Sequence, residues 1–176
     1  MFLIIVGTGA MGKMVELCAK EDGFFDEIML IEPLTDIWPG EKADLIIDFS
    51  HPEAIKGIYE YCRNKGGNIP VVIGTTGQSE GEESIILLLE KICPVLRKTN
   101  FSRGVDVMAS LVDLCHDLIP ESDIALEEIH HTKKIDMPSG TAKTLCDILQ
   151  KEDKVKFKFF IYGICVDLMK FLSITK

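Results

Sequence analysis

The first dozen residues restrict the fold of this chain more than any other stretch. Phe2-Leu3-Ile4-Ile5-Val6 is an unbroken apolar run, as expected of a strand covered on both faces, and it leads directly into Gly7-Thr8-Gly9-Ala10-Met11-Gly12. Lys13 to Lys20 then has helical spacing, with Met14, Val15, Leu17 and Cys18 expected as core contacts. A Gly-x-Gly-x-x-Gly pattern is weak evidence alone. Between a strand and a helix it is the turn that lets a pyrophosphate approach backbone amides. A second strand, Glu27 to Ile31, ends in Glu32, 20 residues after Gly12 (32 − 12). At that spacing a carboxylate accepts hydrogen bonds from an adenosine ribose. Such a carboxylate favours NADH over NADPH, because it repels a 2′-phosphate. The competing reading, a tight turn without a ligand, is made the weaker one by Glu32.

The pattern of strand followed by helix continues. Pro33 to Lys42 reads as a linker in which Trp38 serves packing. Asp44 to Phe49 is a buried strand, and Ser50 with Glu53 reads as a capping box for a helix from Ala54 to about Lys65, with His51 structural or peripheral. Val71-Val72-Ile73 stops at Gly74-Thr75-Thr76-Gly77, a loop on which a flat ring could lie close to the backbone. Gln78 to Glu83 is expected to be exposed, Ser84 to Ile92 helical and Cys93 to Arg97 a strand. Gly104 to Ile119 is an amphipathic helix with Val105, Met108, Leu111, Val112, Cys115 and Leu118 on one stripe and His116 off it, at the surface. This alternation implies an α/β fold with a parallel, doubly wound sheet of Rossmann type. The expected domains are 1–103, binding a dinucleotide, and 104–176, an incomplete α+β substrate domain.

Composition narrows the partners. The chain has 176 residues, 47% of them hydrophobic, and a net charge of −9. That charge argues against a broad nucleic-acid surface, and it requires local positive charge to attract an anionic substrate. The six cysteines, at 18, 62, 93, 115, 146 and 165, show no metal spacing, so they are expected to be reduced core residues of a cytoplasmic protein. No run reaches the ~18 apolar residues of a membrane span.

The polar groups that suggest chemistry are gathered in Glu127 to Ala142, between a strand (Ser122 to Ile129) and a helix (Ala142 to Leu149). A helix opening at Ser139-Gly140-Thr141 presents unpaired N–H groups that suit a carboxylate or phosphate. Lys134 adds a positive charge, and His130 or His131 titrates near neutrality and so can pass a proton. The plain alternative is that Ser139 only caps the helix. A metal site built from His116, His130 and His131 lacks supporting spacing, and no metal is expected.

The run Glu-x-His-His-x-x-Lys-x-Asp-x-Pro-Ser-Gly-Thr, Glu128 through Thr141, resembles the signature of the dihydrodipicolinate reductase family. Asp48-Phe49-Ser50, Gly74-Thr75-Thr76-Gly77 and Asn100-Phe101-Ser102-x-Gly104-Val105 resemble further pieces of it, in order. The resemblance implies reduction of 4-hydroxy-tetrahydrodipicolinate, a cyclic dicarboxylate, by hydride from NADH or NADPH in lysine and diaminopimelate synthesis. It implies that Gly7, Gly9, Ala10, Met11, Gly12, Glu32, Phe49, Ser50, Gly74, Thr75, Thr76, Asn100 and Phe101 contact the dinucleotide. His130 would be the general acid, Lys134 and His131 would bind or polarise the substrate, and Ser139, Gly140 and Thr141 would hold a carboxylate. Asp136 would orient Lys134 or the loop.

The resemblance covers residues 1 to about 150. Beyond Gln150 a brief alternation from Val155 suggests one strand, and Val166, Met169 and Leu172 suit one or two helical turns. The family's remaining strands, which complete the second sheet and build its homo-oligomer interface, are not recognisable. The chain reads as a shortened, frameshifted or degraded member, so cofactor binding is expected with weak or absent turnover. The alternatives are a non-catalytic dinucleotide-binding remnant or another oxidoreductase of the same fold.

Overall fold

The computed structural model describes residues 1–119, 124–130, 139–149 and 155–161, with the backbone alone at 125, 130 and 155–161. The chain divides into two compact units, Met1–Thr99 and Asn100–Lys176.

In the first unit, β1 (Phe2–Val6) is buried along its whole length. It is followed by α1 (Ala10–Asp22), β2 (Glu27–Ile31), β3 (Leu45–Asp48), α2 (Ala54–Asn64), β4 (Val71–Ile73), α3 (Glu80–Glu90) and β5 (Val95–Arg97). The strands form one parallel sheet in the order β2-β1-β3-β4-β5. The strand order reverses at β1, so a topological switch point lies at the carboxyl ends of β1 and β3. The period of two along β1 separates two cores. Phe2, Ile4 and Val6 pack with Ile46, Val71, Ile73, Ile58 of α2 and Leu89 of α3. Leu3 and Ile5 pack with Ala19 and Val15 of α1.

The seam under α1 is narrower than the apolar spacing suggested. Gly12 and Ala19 are buried and Val15 is half-buried, whereas Met14 and Leu17 are 54% and 50% exposed and Cys18 is also exposed. The helix approaches so closely at Gly12 that a Cβ there would lie 1.8 Å from the Gly7 carbonyl oxygen. Only small residues fit along the contact line, and the larger apolar ones fall outside it.

The capping box expected at Ser50 and Glu53 does not form. The N-cap of α2 is Glu53 in a helical conformation with no side-chain cap, and the Ser50 hydroxyl instead donates to Asp48. A capping box forms at Ser79 and Glu82, which starts α3 at Glu80, four residues ahead of the Ser84 start expected for this helix. Trp38 packs as expected, its ring 5.2 Å from that of Tyr61 and against Gly57. Cys62, Cys93 and Cys146 are buried as expected, and burial, with Cys93 beside it, pushes the Cys62 thiol up. Cys18 and Cys115 are exposed, contrary to the core assignment, because each lies on a helix face left open among the described residues. Cys165 lies outside the described residues.

The second unit contains α4 (Arg103–Leu118), β6 (Ile124–His130), α5 (Gly140–Leu149) and β7 (Val155–Ile161). β6 and β7 pair in parallel from Ile124 opposite Val155 to His130 opposite Ile161. α5 buries Ala142, Leu145, Cys146 and Leu149, the 3–4–7 spacing of one face. No residue of α4 is buried. Its expected stripe lines an open apolar cavity of about 450 Å³ that includes Met108, Leu111, Val112 and Cys115. His116 was expected at the surface, but its side chain is only 10% exposed and also lines this cavity. The helical turns expected at 166–172 lie outside the described residues. Among the described residues no helix is long and apolar enough to cross a membrane.

Candidate functional site

The carboxyl edge of the five-stranded sheet collects the loops singled out in the sequence. Gly9 is the N-cap of α1 in an extended conformation (φ −73°, ψ −171°), and no side chain caps the helix. The amides of its first turn therefore face outward with the positive end of the helix dipole, and that turn carries no acidic residue. A Cβ on Gly9 would meet nothing within 4 Å, so there is open space where a phosphate would come close. Gly7 has φ +110°, and a Cβ on it would lie 2.4 Å from the Phe49 carbonyl oxygen. Glycine at 7 is required by both conformation and contact.

Glu32 directly follows β2, half-buried. Its carboxylate accepts a hydrogen bond from Thr8 Oγ1 at 2.9 Å, and its amide donates to Asp36 Oδ2 at 2.7 Å. The Thr8 contact joins the Glu32 carboxylate to the glycine turn, a role for Thr8 not anticipated from its place inside the fingerprint.

The loops after β3 and β4 interlock. Gly74 N–H donates to the Asp48 carbonyl at 2.8 Å, and Ser50 N–H donates to Thr75 Oγ1 at 2.8 Å. The Phe49 ring lies against Gly74, where a Cβ would sit 2.1 Å from the ring. Thr75 is buried and Thr76 is exposed, so Thr75 braces the loop while Thr76 faces out. Asp48 is 2% exposed. Burial pushes its carboxyl up, offset in part by the Ser50 and Thr75 hydroxyls. The sequence signal for Asp48 is an acid closing the apolar run Leu45-Ile46-Ile47; the strand and the family-like Asp48-Phe49-Ser50 piece include it without giving it a role of its own. Beside these loops a cavity of about 510 Å³ is lined by Leu34, His51, Pro52, Glu53, Gly77 and Glu82. His51, expected to be peripheral, thus stands on its wall.

In the second unit, the opening of α5 is already partly engaged. Ser139 is buried, its hydroxyl accepts from Ala142 N–H at 3.0 Å, and its own N–H donates to Glu128 Oε1 at 2.9 Å. The capping role foreseen as the plain alternative is therefore present. Asn100 donates from Nδ2 to Thr141 Oγ1 at 2.9 Å and accepts from Ser102 N–H at 2.7 Å, while Phe101 is 41% exposed. His130 ends β6, and its side chain lies outside the described residues, as do His131, Lys134 and Asp136. Among the described residues no group of three His, Cys, Asp or Glu gathers to hold a metal.

A parallel sheet whose switch point carries an uncapped glycine turn, with an acid at the end of the next strand, defines an α/β protein of the doubly wound, Rossmann-type class. Comparison with known families gives two matches, dihydrodipicolinate reductase N-terminus over residues 26–101 and dihydrodipicolinate reductase C-terminus over residues 104–169. The chain belongs to the dihydrodipicolinate reductase family.

Proteins named 4-hydroxy-tetrahydrodipicolinate reductase are similar along most of the chain. The one from Alkaliphilus metalliredigens is 35% identical over 156 residues, covering 86% of this chain and 63% of that protein. The one from Caldanaerobacter subterraneus subsp. tengcongensis is 36% identical over 172 residues, covering 92% and 67%. That from Thermosipho africanus is 33% identical over 154 residues, covering 88% and 69%. A solved dipicolinate-bound dihydrodipicolinate reductase from Paenisporosarcina sp. TG-14 superposes with a TM-score of 0.56 at 22% identity, covering 84% of this chain and 64% of that one, and so shares the fold. The chain thus spans about two thirds of its relatives' length. The C-terminal match runs to residue 169, so the family likeness continues past Gln150, where the motifs alone had ended it.

Proposed function

We propose that this chain binds a nicotinamide dinucleotide along the carboxyl edge of its five-stranded sheet and serves the reduction of 4-hydroxy-tetrahydrodipicolinate to tetrahydrodipicolinate. The observation that carries the reading is the uncapped first turn of α1 behind Gly9, with open space in front of it and Glu32 at the end of the neighbouring strand. The residues present fit such a group. Amides of Ala10, Met11 and Gly12 would hold the pyrophosphate, as helix N-termini hold anions. Glu32, already oriented by Thr8, would accept from the ribose hydroxyls and favour NADH over NADPH. The loops at Phe49 and Ser50 and at Gly74 to Thr76 would carry the remaining half.

When bound, the dinucleotide supplies the hydride; the protein supplies position and charge. His130 holds the proton that completes reduction, and Lys134 with His131 binds the dicarboxylate, roles supported by the family membership. Since Glu128 already occupies the Ser139 amide, the grip on the substrate carboxylate falls to the amides of Gly140 and Thr141. The setting is that of a cytoplasmic lysine and diaminopimelate biosynthesis enzyme, acting as a homo-oligomer.

A second reading, a dinucleotide-binding protein without turnover, is favoured by the opening of α5, where Glu128 already accepts from the Ser139 amide and Asn100 donates to the Thr141 hydroxyl. One experiment addresses both. NADH and NADPH are titrated into the whole chain, and substrate-dependent NADH oxidation is then followed in a coupled assay. Saturable binding, tighter for NADH, supports the dinucleotide site, and binding of neither refutes it. Binding without oxidation selects the second reading.

A further inference from the structure

We propose that Asp48 is a positioning residue for the nicotinamide half of the cofactor, holding the loop after β3 against the loop after β4 so that both present one fixed floor. The inference deepens the dinucleotide reading above and rests on it.

Topology decides which half of the ligand is concerned. The end of β2, with Glu32, takes the adenosine side, and the N-terminus of α1 takes the pyrophosphate. The remaining half must continue across the switch point, over the carboxyl ends of β3 and β4. Those ends are the loops 48–50 and 74–77.

Asp48 lies beneath both loops. It is the last residue of β3 and only 2% exposed, a position where an acid is costly unless hydrogen-bonded. Its carboxylate accepts from the Ser50 hydroxyl, and the Ser50 amide donates across to Thr75 Oγ1 at 2.8 Å. Its backbone carbonyl accepts from Gly74 N–H at 2.8 Å. The same three-residue segment is held from the other side, since Phe49 N–H donates to the Val6 carbonyl at 3.0 Å. Every bond named here links the segment to a neighbouring strand end or to itself. The loops after β1, β3 and β4 are therefore registered through residues 48–50. Hydrogen bonds from the Ser50 and Thr75 hydroxyls favour the ionised carboxylate that burial disfavours. An acid kept in such a place, bonded to two loop hydroxyls, locks loop geometry in a way an apolar residue cannot.

A strut for the whole fold would behave differently from a positioner of one half-site, and the difference can be measured. Asp48→Asn keeps the shape but replaces one acceptor oxygen by an amide NH₂, so one hydroxyl loses its partner. Calorimetric titration of the full-length wild type and D48N with NADH and with ADP reads the two halves separately. ADP reports the adenosine and pyrophosphate contacts alone. The expected result is NADH binding weakened about tenfold, the effect of one buried hydrogen bond to a charged group, with ADP binding changed less than about twofold. Equal weakening of both ligands, or of neither, would overturn the proposal. Should D48N fail to fold, Thr75→Val removes the partner on the opposite loop and must show the same selective loss. A wild type that binds neither NADH nor NADPH brings down the dinucleotide reading itself. A wild type that binds NADH while both variants bind it equally well sinks only the role of Asp48.

Discussion

Replacing Gly12 by alanine, with Gly9→Ala as its counterpart, separates the two demands placed on the glycine turn. A Cβ at 12 would lie 1.8 Å from the Gly7 carbonyl oxygen and 2.9 Å from its carbon, while ordinary contact begins near 3.4 Å. The helix or the turn must therefore give by as much as 1.6 Å (3.4 − 1.8). Both opposing atoms are backbone, so no side-chain rotation relieves the clash. The displaced element is α1, whose seam against Leu3 and Ile5 is part of the core. Overpacking of this kind costs about 1–3 kcal/mol. For a unit of 99 residues, Met1–Thr99, that lowers Tm by roughly 5–20 °C.

Gly9 differs in that nothing stands within 4 Å of its would-be Cβ and its φ is −73°. Alanine is unstrained there, and its poorer capping leaves Tm within ~3 °C of wild type. The methyl group would instead enter the open space proposed for the pyrophosphate. The assay is a melting curve for each variant with and without NADH, beside a direct titration. Gly12→Ala should lose stability and affinity together, and Gly9→Ala affinity alone. A Gly12→Ala protein that melts with the wild type and binds NADH normally would show that the close approach of α1 to Gly7 is wrong. A Gly9→Ala protein with unchanged affinity would place the pyrophosphate elsewhere.

Three further outcomes follow from the same structure. Glu32→Ala should shift the ratio of NADPH to NADH affinity upward by at least ~10-fold, because a like charge beside the 2′-phosphate is removed; paired titrations with the two coenzymes check it. Arg97 hydrogen bonds Glu83 at 2.6 Å through both guanidinium nitrogens and holds its carboxyl below the usual range. A carboxylate whose folded pKa is depressed stabilises above its unfolded pKa and loses that contribution as pH falls through the folded value. Glu83→Gln should therefore melt slightly below wild type at neutral pH, by well under ~1 kcal/mol for so exposed a pair, and the gap should close in acid. Leu89, fully buried, should cost about 2–5 kcal/mol as alanine, whereas Leu111, 56% exposed, should cost less than ~0.5 kcal/mol; chemical denaturation of both variants reads the difference.

The sheet was legible because each strand is a short apolar run closed by a polar loop, and a parallel sheet buried on both faces needs little more. The strand at Val71–Ile73 and the turn after it match their reading to the residue. Helix contacts were less legible. In α1, four apolar residues were candidates for the seam, but the close approach at Gly12 selects Val15 and Ala19 and leaves Met14 and Leu17 outside. That choice depends on the distance between helix and sheet, which periodicity does not encode. The capping box was misplaced for a related reason. Ser50-x-x-Glu53 and Ser79-x-x-Glu82 have the same spacing, but the Ser50 hydroxyl has a buried carboxylate two residues away and prefers it.

The same competition governs the residues expected to touch ligands. The family resemblance implies a ligand contact for each of Thr75, Asn100 and Ser139, all polar residues at loop positions or a helix opening. In the structure Thr75 Oγ1 accepts from Ser50, Asn100 bridges Ser102 and Thr141, and Ser139 caps α5 while its amide meets Glu128. A hydroxyl or amide that braces a loop needs the same chemistry and the same place in the chain as one that grips a substrate, so the sequence alone does not separate them. What separates them is exposure. Gly9, Glu32 and Thr76 retain outward-facing surface at the sheet edge, whereas Thr75 and Ser139 are buried. Substitutions at the buried pair should act through loop geometry and reach the ligand indirectly, while those at the outward-facing residues should change affinity with little change in stability. The division between binding and bracing thus follows from which polar atoms the fold has already used.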